Sequence, residues 1–399
     1  MRTAVVAGHI CLDIIPAIET LPSDGSLIVP GRLVTVGPAA VATGGAVSNT
    51  GLALHRLGIP TRLMGKIGDD LWGRAILDVV RSRDPELAAG MIVDPSGPSS
   101  YTVVINPPGR DRSFLHCPGS NDTFGADDVD PTWLAGADLF HFGYPPIMRR
   151  MYSDGGQELT ALMARVRAAG VATSLDMAHV DVDSPAGKVD WGSLLAAVLP
   201  SVDFFLPNLD EALFMLDRDA SGEIAARAGA SNSAAVAGMD LLLALGERLS
   251  ALGAAVVGLK LGDQGMLLCT SADGARIAQV GDGLLGDEWV GRVLYAPAFQ
   301  VSVVGTTGAG DCAIAGFFAA VLRGAGPEAA LTCAVAAGAC NVEQADAISG
   351  VPDWDTLQAR LARPWAQLPS LLDMSRWQPH ERVWRGPQDR KVVLAAKPA

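Results

Sequence analysis

The sequence predicts an α/β fold, with a mostly parallel central sheet covered by helices on both faces and a small β lid. Three observations carry that prediction. Short β-branched or apolar runs alternate with helical patterns along most of the chain, as in successive strand–helix–strand units. Hydrophobic residues make up 49% and charged residues 18%, and the apolar excess is mostly Ala, Val and Leu with 45 Gly, which suits buried parallel strands under Ala-rich helices. Two stretches, Ile14–Val41 and Ser99–His116, break the rhythm with β-formers lacking helical period, and they are expected to be antiparallel strands of a projecting lid.

Taken in order, Ala4–Ala7 is expected to be a strand, and Ser48–Leu57 a helix ended at Gly58 with Pro60 just beyond. Thr61–Ile67 follows as a strand, Trp72–Arg81 as a helix and Tyr101–Ile105 as a strand. Leu139–Phe142 is a strand, Gln157–Ala169 a helix stopped by Gly170, and Ala172–Leu175 a strand. Phe204–Leu206 is a strand, Leu241–Leu252 a helix, and Ala255–Leu259 a strand that enters the turn Gly262-Asp-Gln-Gly265, with Met266–Thr270 returning as a hairpin. Two apolar helices, Cys312–Leu322 and Ala329–Val342, come late in the chain. Residues 1–362 form one domain carrying the lid segments, and 363–399 a C-terminal tail packed on the surface or partly disordered, to which no chemistry is assigned.

Composition excludes several classes. A formal net charge of −13 repels phosphate backbones, so nucleic acid is not expected as a partner, and any anionic ligand must be held by helix N-termini and backbone amides. The six cysteines are scattered with no CxxC pair, which is neither a disulfide framework nor a zinc signature. The N-terminus MRTAVVAGHICLDIIP reads as a strand and turn rather than a signal peptide, and each apolar helix is too short to span a bilayer. A soluble, cytoplasmic protein without membrane partners is expected. No G-x-x-x-x-G-K-[ST] loop is present, and Ala313 stands where a dinucleotide fingerprint needs its third glycine.

The strongest local signal is Val303-Val-Gly-Thr-Thr-Gly-Ala-Gly-Asp311, a strand and Gly-rich turn opening onto an apolar helix. Gly308, Ala309 and Gly310 can aim backbone N–H groups at one point, with the helix dipole behind them, as an anion site. Asp311 beside that site is placed to take the proton of a hydroxyl attacking a phosphoryl group. The plainer alternative is an Asp capping a helix.

A second signal is Thr43-Gly-Gly-Ala-Val-Ser-Asn49, where Gly44 and Gly45 permit backbone contact with a ligand and Asn49 offers donor and acceptor to a diol; a plain helix start capped by Ser48 is the alternative. In Phe205-Leu-Pro-Asn-Leu-Asp-Glu211, Asn208 and Glu211 share one turn and can orient water around Mg²⁺, or simply cap a helix. In Leu259-Lys-Leu-Gly-Asp-Gln-Gly265 the glycines can cradle nucleotide phosphates or form a hairpin.

These four motifs, in this order, resemble the ribokinase-like (PfkB) carbohydrate kinase family over roughly residues 1–362. The resemblance implies a ribokinase-like fold and ATP-dependent transfer of the γ-phosphoryl group to a hydroxymethyl group of a sugar or sugar derivative. It implies Asp311 as general base, with Gly308, Ala309 and Gly310 as the anion hole. Asn208 and Glu211 would organise Mg²⁺ and the ATP phosphates, Glu211 through water, while Lys260, Gly262 and Gly265 would line the nucleotide site. Asp13, Gly44, Gly45 and Asn49 would hold the sugar, and Asn121 in Cys117-Pro-Gly-Ser-Asn121 matches a stretch after the lid that touches substrate. The lid would also mediate a homodimer.

One position departs from the family pattern. Its last motif usually opens with an Asp that helps bind a monovalent cation, where this chain has Gly305, so activation by K⁺ is left open. Other residues are weaker candidates. Asp176 sits at a strand's C-terminal end, Arg110 and Arg112 flank the lid turn, and His116 and His141 are expected to be structural. A nucleoside kinase on the same scaffold is the alternative, disfavoured by the lack of aromatics in the lid. A non-catalytic sugar sensor would be expected to have lost Asp311 or its glycines, and both are present.

Overall fold

The computed structural model describes residues 1–22, 26–109, 112–229 and 232–395. Its centre is a ten-stranded sheet. From one edge, strands Thr61–Met64, Ala4–Gly8, Leu139–Gly143, Ala172–Asp176, Phe204–Phe205 and Val256–Lys260 run parallel to one another. Met266–Thr270 then returns antiparallel as the expected hairpin, followed by Val293–Ala296.

Why these runs are central strands is visible in their burial. Every residue of Ala4–Gly8, Leu139–Gly143 and Ala172–Asp176 is buried, so these strands are covered on both faces rather than alternating between core and solvent, with His141, Thr173, Ser174 and Asp176 as the polar residues among them. Along the first strand, Ala4 and Val6 join one core and Val5 and Ala7 the other. Helices Ala46–Arg56, Ala309–Val321 and Pro327–Asn341 cover the first face; Gln157–Ala168, Leu209–Leu216 and Met239–Ala251 cover the second.

Four local expectations change. The run into the Gly-rich turn, expected to be a strand, is irregular, with Val303 and Val304 exposed. The run Thr61–Ile67 divides at Gly65 into Thr61–Met64, in the main sheet, and Lys66–Gly68, paired with Ile92–Asp94. The lid is a separate four-stranded sheet in the order Ala39–Gly44, Cys11–Pro16, Tyr101–Ile105, Ser113–Cys117. Its outer pairs are antiparallel as expected, but the two central strands are parallel. Each of those two begins beside a buried residue, Cys11 and Ser100, and runs outward from the body, which fixes their common direction.

The segment after Pro364 is not a surface tail. It supplies strands Gln378–His380 and Val383–Arg385, which extend the main sheet beyond Val293–Ala296. Trp377, Val383 and Asp389 are buried there, and Arg292, itself buried, pairs with Asp389 at 2.9 Å and Glu328 at 2.6 Å. An apolar strand edge next to a buried arginine has to be covered, and this segment covers it. Among the described residues all six cysteines are unpaired and five are buried, and no helix is long and apolar enough to cross a membrane.

Candidate active site

The polar residues of the site share one address. His9, Tyr144, Asp176, Asn208 and Lys260 stand at, or within a residue or three of, the C-terminal ends of five parallel strands, where an open α/β sheet leaves a crevice. A cavity of about 550 Å³ opens there, lined by Tyr144, Asp176, Asn208, Glu211, Lys260 and Asp311 among others.

The Gly-rich turn builds the anion site. Gly308 precedes helix Ala309–Val321 with φ 69° and ψ 2°, a left-handed conformation, and a Cβ there would collide with the Ala347 carbonyl. Gly308, Ala309 and Gly310 line the cavity at the helix N-terminus; the Ala309 N–H is bonded to the Thr306 carbonyl at 3.4 Å, which leaves the neighbouring first-turn amides to meet an anion. Asp311, in that same turn, is buried at 4% exposure. Its carboxylate is no N-cap: Oδ2 accepts from Asn49 Nδ2 at 3.0 Å and from the Tyr144 phenol at 2.7 Å, and Oδ1 from Thr50 Oγ1 at 3.2 Å. Three donors fix its rotamer and leave Oδ1 with lone-pair capacity.

Charge around it is unbalanced. Lys260 Nζ lies 2.6 Å from Asp176 Oδ1, and it passes about 3.6 Å from the point a Cβ on Gly310 would occupy. Burial pushes Asp176 and Glu211 above the ordinary carboxylate range, although Lys260 pulls both the other way. Burial pulls Lys260 down, but Asp176 and then Glu211 outweigh it and hold the ammonium charged. Lys260 thus faces the carboxyl groups of Asp176, Glu211 and Asp311, the first two drawn toward the protonated form by burial, so a bound cation beside them would favour their ionised forms. Asn208 and Glu211 form a capping box, Oδ1 accepting from the Glu211 N–H and Oε2 from the Asn208 N–H, each at 2.8 Å. With those oxygens occupied, the pair fits Mg²⁺ held through water better than direct ligation; no group of three or more metal-ligating His, Cys, Asp or Glu side chains is present among the described residues.

On the lid side, Asp13 lies on Cys11–Pro16, its pKa raised by burial, with Cys11 Sγ 3.3 Å from Oδ1. Gly44 packs against the Asp13 carboxylate and Gly45 against the His9 ring, so a side chain at either would fill the space between them. His9 and His116 rings are 5.1 Å apart, and His9 and Tyr144 rings 6.1 Å apart. Burial holds both imidazoles below their usual pKa, so they are neutral. Both ring nitrogens of His9, and Oδ1 of Asn49, are buried without a hydrogen-bond partner. Orphaned polar atoms around a base are what a ligand rich in hydroxyls would satisfy.

A family model described as pfkB family carbohydrate kinase matches residues 1–354. The chain belongs to that family. Like the family's ribokinases and fructokinases, it is a phosphotransferase with an alcohol group as acceptor. It is similar to the 2-dehydro-3-deoxygluconokinase of Thermoproteus tenax, 27% identical over 320 residues covering 79% of this chain and 84% of that one. It is also similar to the ATP-dependent ribose-1-phosphate kinase of Halopiger xanaduensis, 25% identical over 367 residues, 91% of this chain and 99% of that one. Among solved structures, Arabidopsis thaliana ribokinase complexed with ribose and ATP superposes with a TM-score of 0.68 at 20% identity, covering 91% of this chain and all of that one, which establishes the ribokinase-like fold.

The kinase gathers Asp13, Gly44, Gly45, Asn49, Asn208, Glu211, Lys260, Gly262, Gly265 and Gly308–Asp311 around this crevice and lid base. Asn121 is the exception. Its Oδ1 accepts from the Ile10 N–H and its Nδ2 donates to the Ile10 and Pro118 carbonyls, so it is consumed in tying the post-lid turn to the first strand's exit. Arg110 lies outside the described residues, while Arg112 reaches across from the lid to Thr306 Oγ1 at 3.0 Å. His141 is buried, with Nδ1 bonded to Ser174 at 2.9 Å and Nε2 without a hydrogen-bond partner. Sequence reasoning missed His9, Thr50 and Tyr144. The first and last stand just past strand ends, a position that flags ligand contacts by itself; Thr50 carried no such signal.

Proposed function

We propose that the enzyme transfers the γ-phosphoryl group of ATP to a hydroxymethyl group of a sugar or sugar derivative, with Asp311 as general base. The observation that carries this reading is the Asp311 carboxylate, buried beside the helix N-terminus and oriented by Asn49, Thr50 and Tyr144. The acceptor hydroxyl binds between Asp13 and Asp311, where the orphaned atoms of His9 and Asn49 meet its other hydroxyls. As the acceptor oxygen attacks the γ-phosphorus and the bridging bond to ADP breaks, Asp311 takes the hydroxyl proton. The amides of Gly308 and Gly310 and the Lys260 ammonium would meet the charge that develops on the transferring group. Mg²⁺, held through water by Glu211 and Asn208, would neutralise phosphate charge when bound. The lid, whose Arg112 already touches Thr306, excludes water.

A second reading, a nucleoside as acceptor, is favoured by one observation: His9, His116 and Tyr144 bring three rings together where the lid sequence alone showed no aromatic platform. For assembly we propose a homodimer through the lid, whose Val41, Phe114 and Leu115 are each more than half exposed. Sedimentation would show a dimer that Phe114→Glu converts to monomer.

The deciding experiment is ADP release with Mg²⁺ against pooled hexoses, pentoses, sugar acids, polyols and nucleosides. Stimulation by one pool that is lost in Asp311→Asn supports the reading and names the acceptor class. A stimulated rate that survives Asp311→Asn removes Asp311 from the base role, and nucleotide binding without stimulated turnover points to a sensor.

A further inference from the structure

The family match ends at residue 354, and the chain beyond it is built into the cavity. Residues 366–368 run alongside 298–300: the Gln300 N–H donates to the Ala366 carbonyl at 2.9 Å and the Leu368 N–H to the Ala298 carbonyl at 2.8 Å, with an antiparallel bridge between Phe299 and Gln367. Trp365 stacks on Phe299 with ring centroids 4.2 Å apart, and Arg360 lies 3.8 Å from the centroid of the Trp365 ring. Three residues beyond Leu368, the Leu371 N–H donates to Oε1 of Gln264 at 2.9 Å. Gln264 is buried and belongs to the turn Gly262–Gly265; the Tyr295 phenol ties its carbonyl at 2.7 Å and Ser370 at 3.2 Å. Leu368 is therefore clamped from both sides, by the Ala298–Gln300 backbone before it and the Gly262–Gly265 turn after it.

Leu368 lines the cavity. Its companions in the lining divide by chemistry. Lys260, Gly308 and Asp311 make a polar side suited to phosphates, while Phe299, Val301 and Val342 are apolar and suited to a flat base. We propose that Leu368 is a nucleotide-binding residue, and that the segment Gln367–Leu372 forms the wall of the cavity against which the base of the phosphoryl donor packs. This deepens the kinase reading and rests on it. An apolar wall from a segment outside the shared family region would let donor affinity be set independently of the acceptor site.

The test is isothermal titration of the full-length protein with Mg²⁺ and a non-hydrolysable ATP analogue, for wild type, Leu368→Asp and the milder Leu368→Ala, with Leu368→Met as the conservative control. Leu368→Asp is expected to weaken the analogue at least tenfold, about 1.4 kcal/mol, and Leu368→Ala several-fold, while Leu368→Met binds like wild type. Steady-state kinetics should show the loss in the KM for ATP and leave the KM for the acceptor within twofold. If Leu368→Asp proves unfolded by circular dichroism, Leu368→Ala decides. Wild-type binding with equal affinity in a folded Leu368→Ala overturns the assignment of the wall while leaving the kinase reading standing. Failure of wild type itself to bind the analogue overturns the kinase reading and this inference together.

Discussion

The phenol of Tyr144 donates a 2.7 Å hydrogen bond to Oδ2 of Asp311, and Tyr144 does so from a left-handed backbone with φ 70°. That conformation is costly for a residue with a Cβ, on the order of 1 kcal/mol or more. It is held by the Tyr144 N–H, bonded to the Asp176 carbonyl at 3.3 Å, and by its own carbonyl, which accepts from the Ile147 N–H at 3.2 Å. The strain turns the ring across the ends of two parallel strands and onto the base. Burial and the Asp311 charge both raise the pKa of the phenol, so it stays a donor.

Tyr144→Phe keeps the ring and removes the donor. A hydrogen bond to a charged group is worth roughly 1.5–3 kcal/mol, so kcat should fall roughly 10–100-fold if the bond sets the base's geometry. The KM for acceptor should change little. Asp311→Asn should cost more, roughly 10²–10⁴ in kcat. Equal kcat in wild type and Tyr144→Phe would reduce Tyr144 to packing.

Turnover should not depend on K⁺. Gly305 packs against the chain at 344–345, and a Cβ built on it would come within 3.0 Å of the Ala345 Cα and of the carbonyl oxygens of Gln344 and Ala345. A carboxylate cannot be placed there without moving that backbone. Rates measured in K⁺, Na⁺ and choline salts at equal ionic strength should agree within twofold. A rate that rises severalfold with K⁺ alone would show that other groups build a cation site.

Docking of the C-terminal segment should weaken in acid. Glu328 meets Arg292 at 2.6 Å, Arg385 at 3.1 Å and Lys391 at 3.3 Å. Burial would raise its pKa, but hydrogen bonds and charge from Arg292, with Lys391 adding to them, outweigh burial and hold it at about 2, against 4.5 for a free glutamate. A pKa depressed in the folded state means stabilisation that is complete above the unfolded value and lost as pH falls toward the folded one. Glu328→Gln should therefore lower Tm at pH 7, and the gap to wild type should close between pH 4.5 and 2. A gap of constant size across that range would show that shape rather than charge supports the segment.

What the sequence made legible follows from range. The Gly-rich turn, the Asn208/Glu211 cap and most of the strand–helix alternation are local patterns and formed where the spacing put them, but the run into the Gly-rich turn is irregular rather than a strand. The helix starting at Ala309 rather than Cys312 differs only in fraying at its first turn. The contacts that were not legible join distant positions: Tyr144 and Thr50 meet Asp311 from 167 and 261 residues away, and Leu371 meets Gln264 from 107. No local spacing encodes such pairs. Asn121 misled for the complementary reason, since an amide that suits a ligand suits a backbone equally well, and the Ile10 peptide was nearer.

Lys260 and Asp176 separate the two jobs a buried ion pair can have. Their side chains are 13% and 1% exposed, and removing one partner of such a pair typically costs roughly 3–5 kcal/mol because the other is left uncompensated. For Lys260→Met the loss should be milder, since the carboxyl of Asp176 is already pushed upward by burial and can take a proton. Adding Asp176→Asn to Lys260→Met replaces the carboxyl, and with it the cost of holding it protonated, so the double variant should recover most of the lost Tm. It should not recover activity: with no ammonium beside Gly310, the KM for ATP should stay raised at least tenfold and kcat stay depressed. A coupling energy that appears in Tm but not in kcat/KM would therefore place Lys260 on the phosphates. Return of turnover together with stability in the double variant would instead confine the lysine to neutralising Asp176.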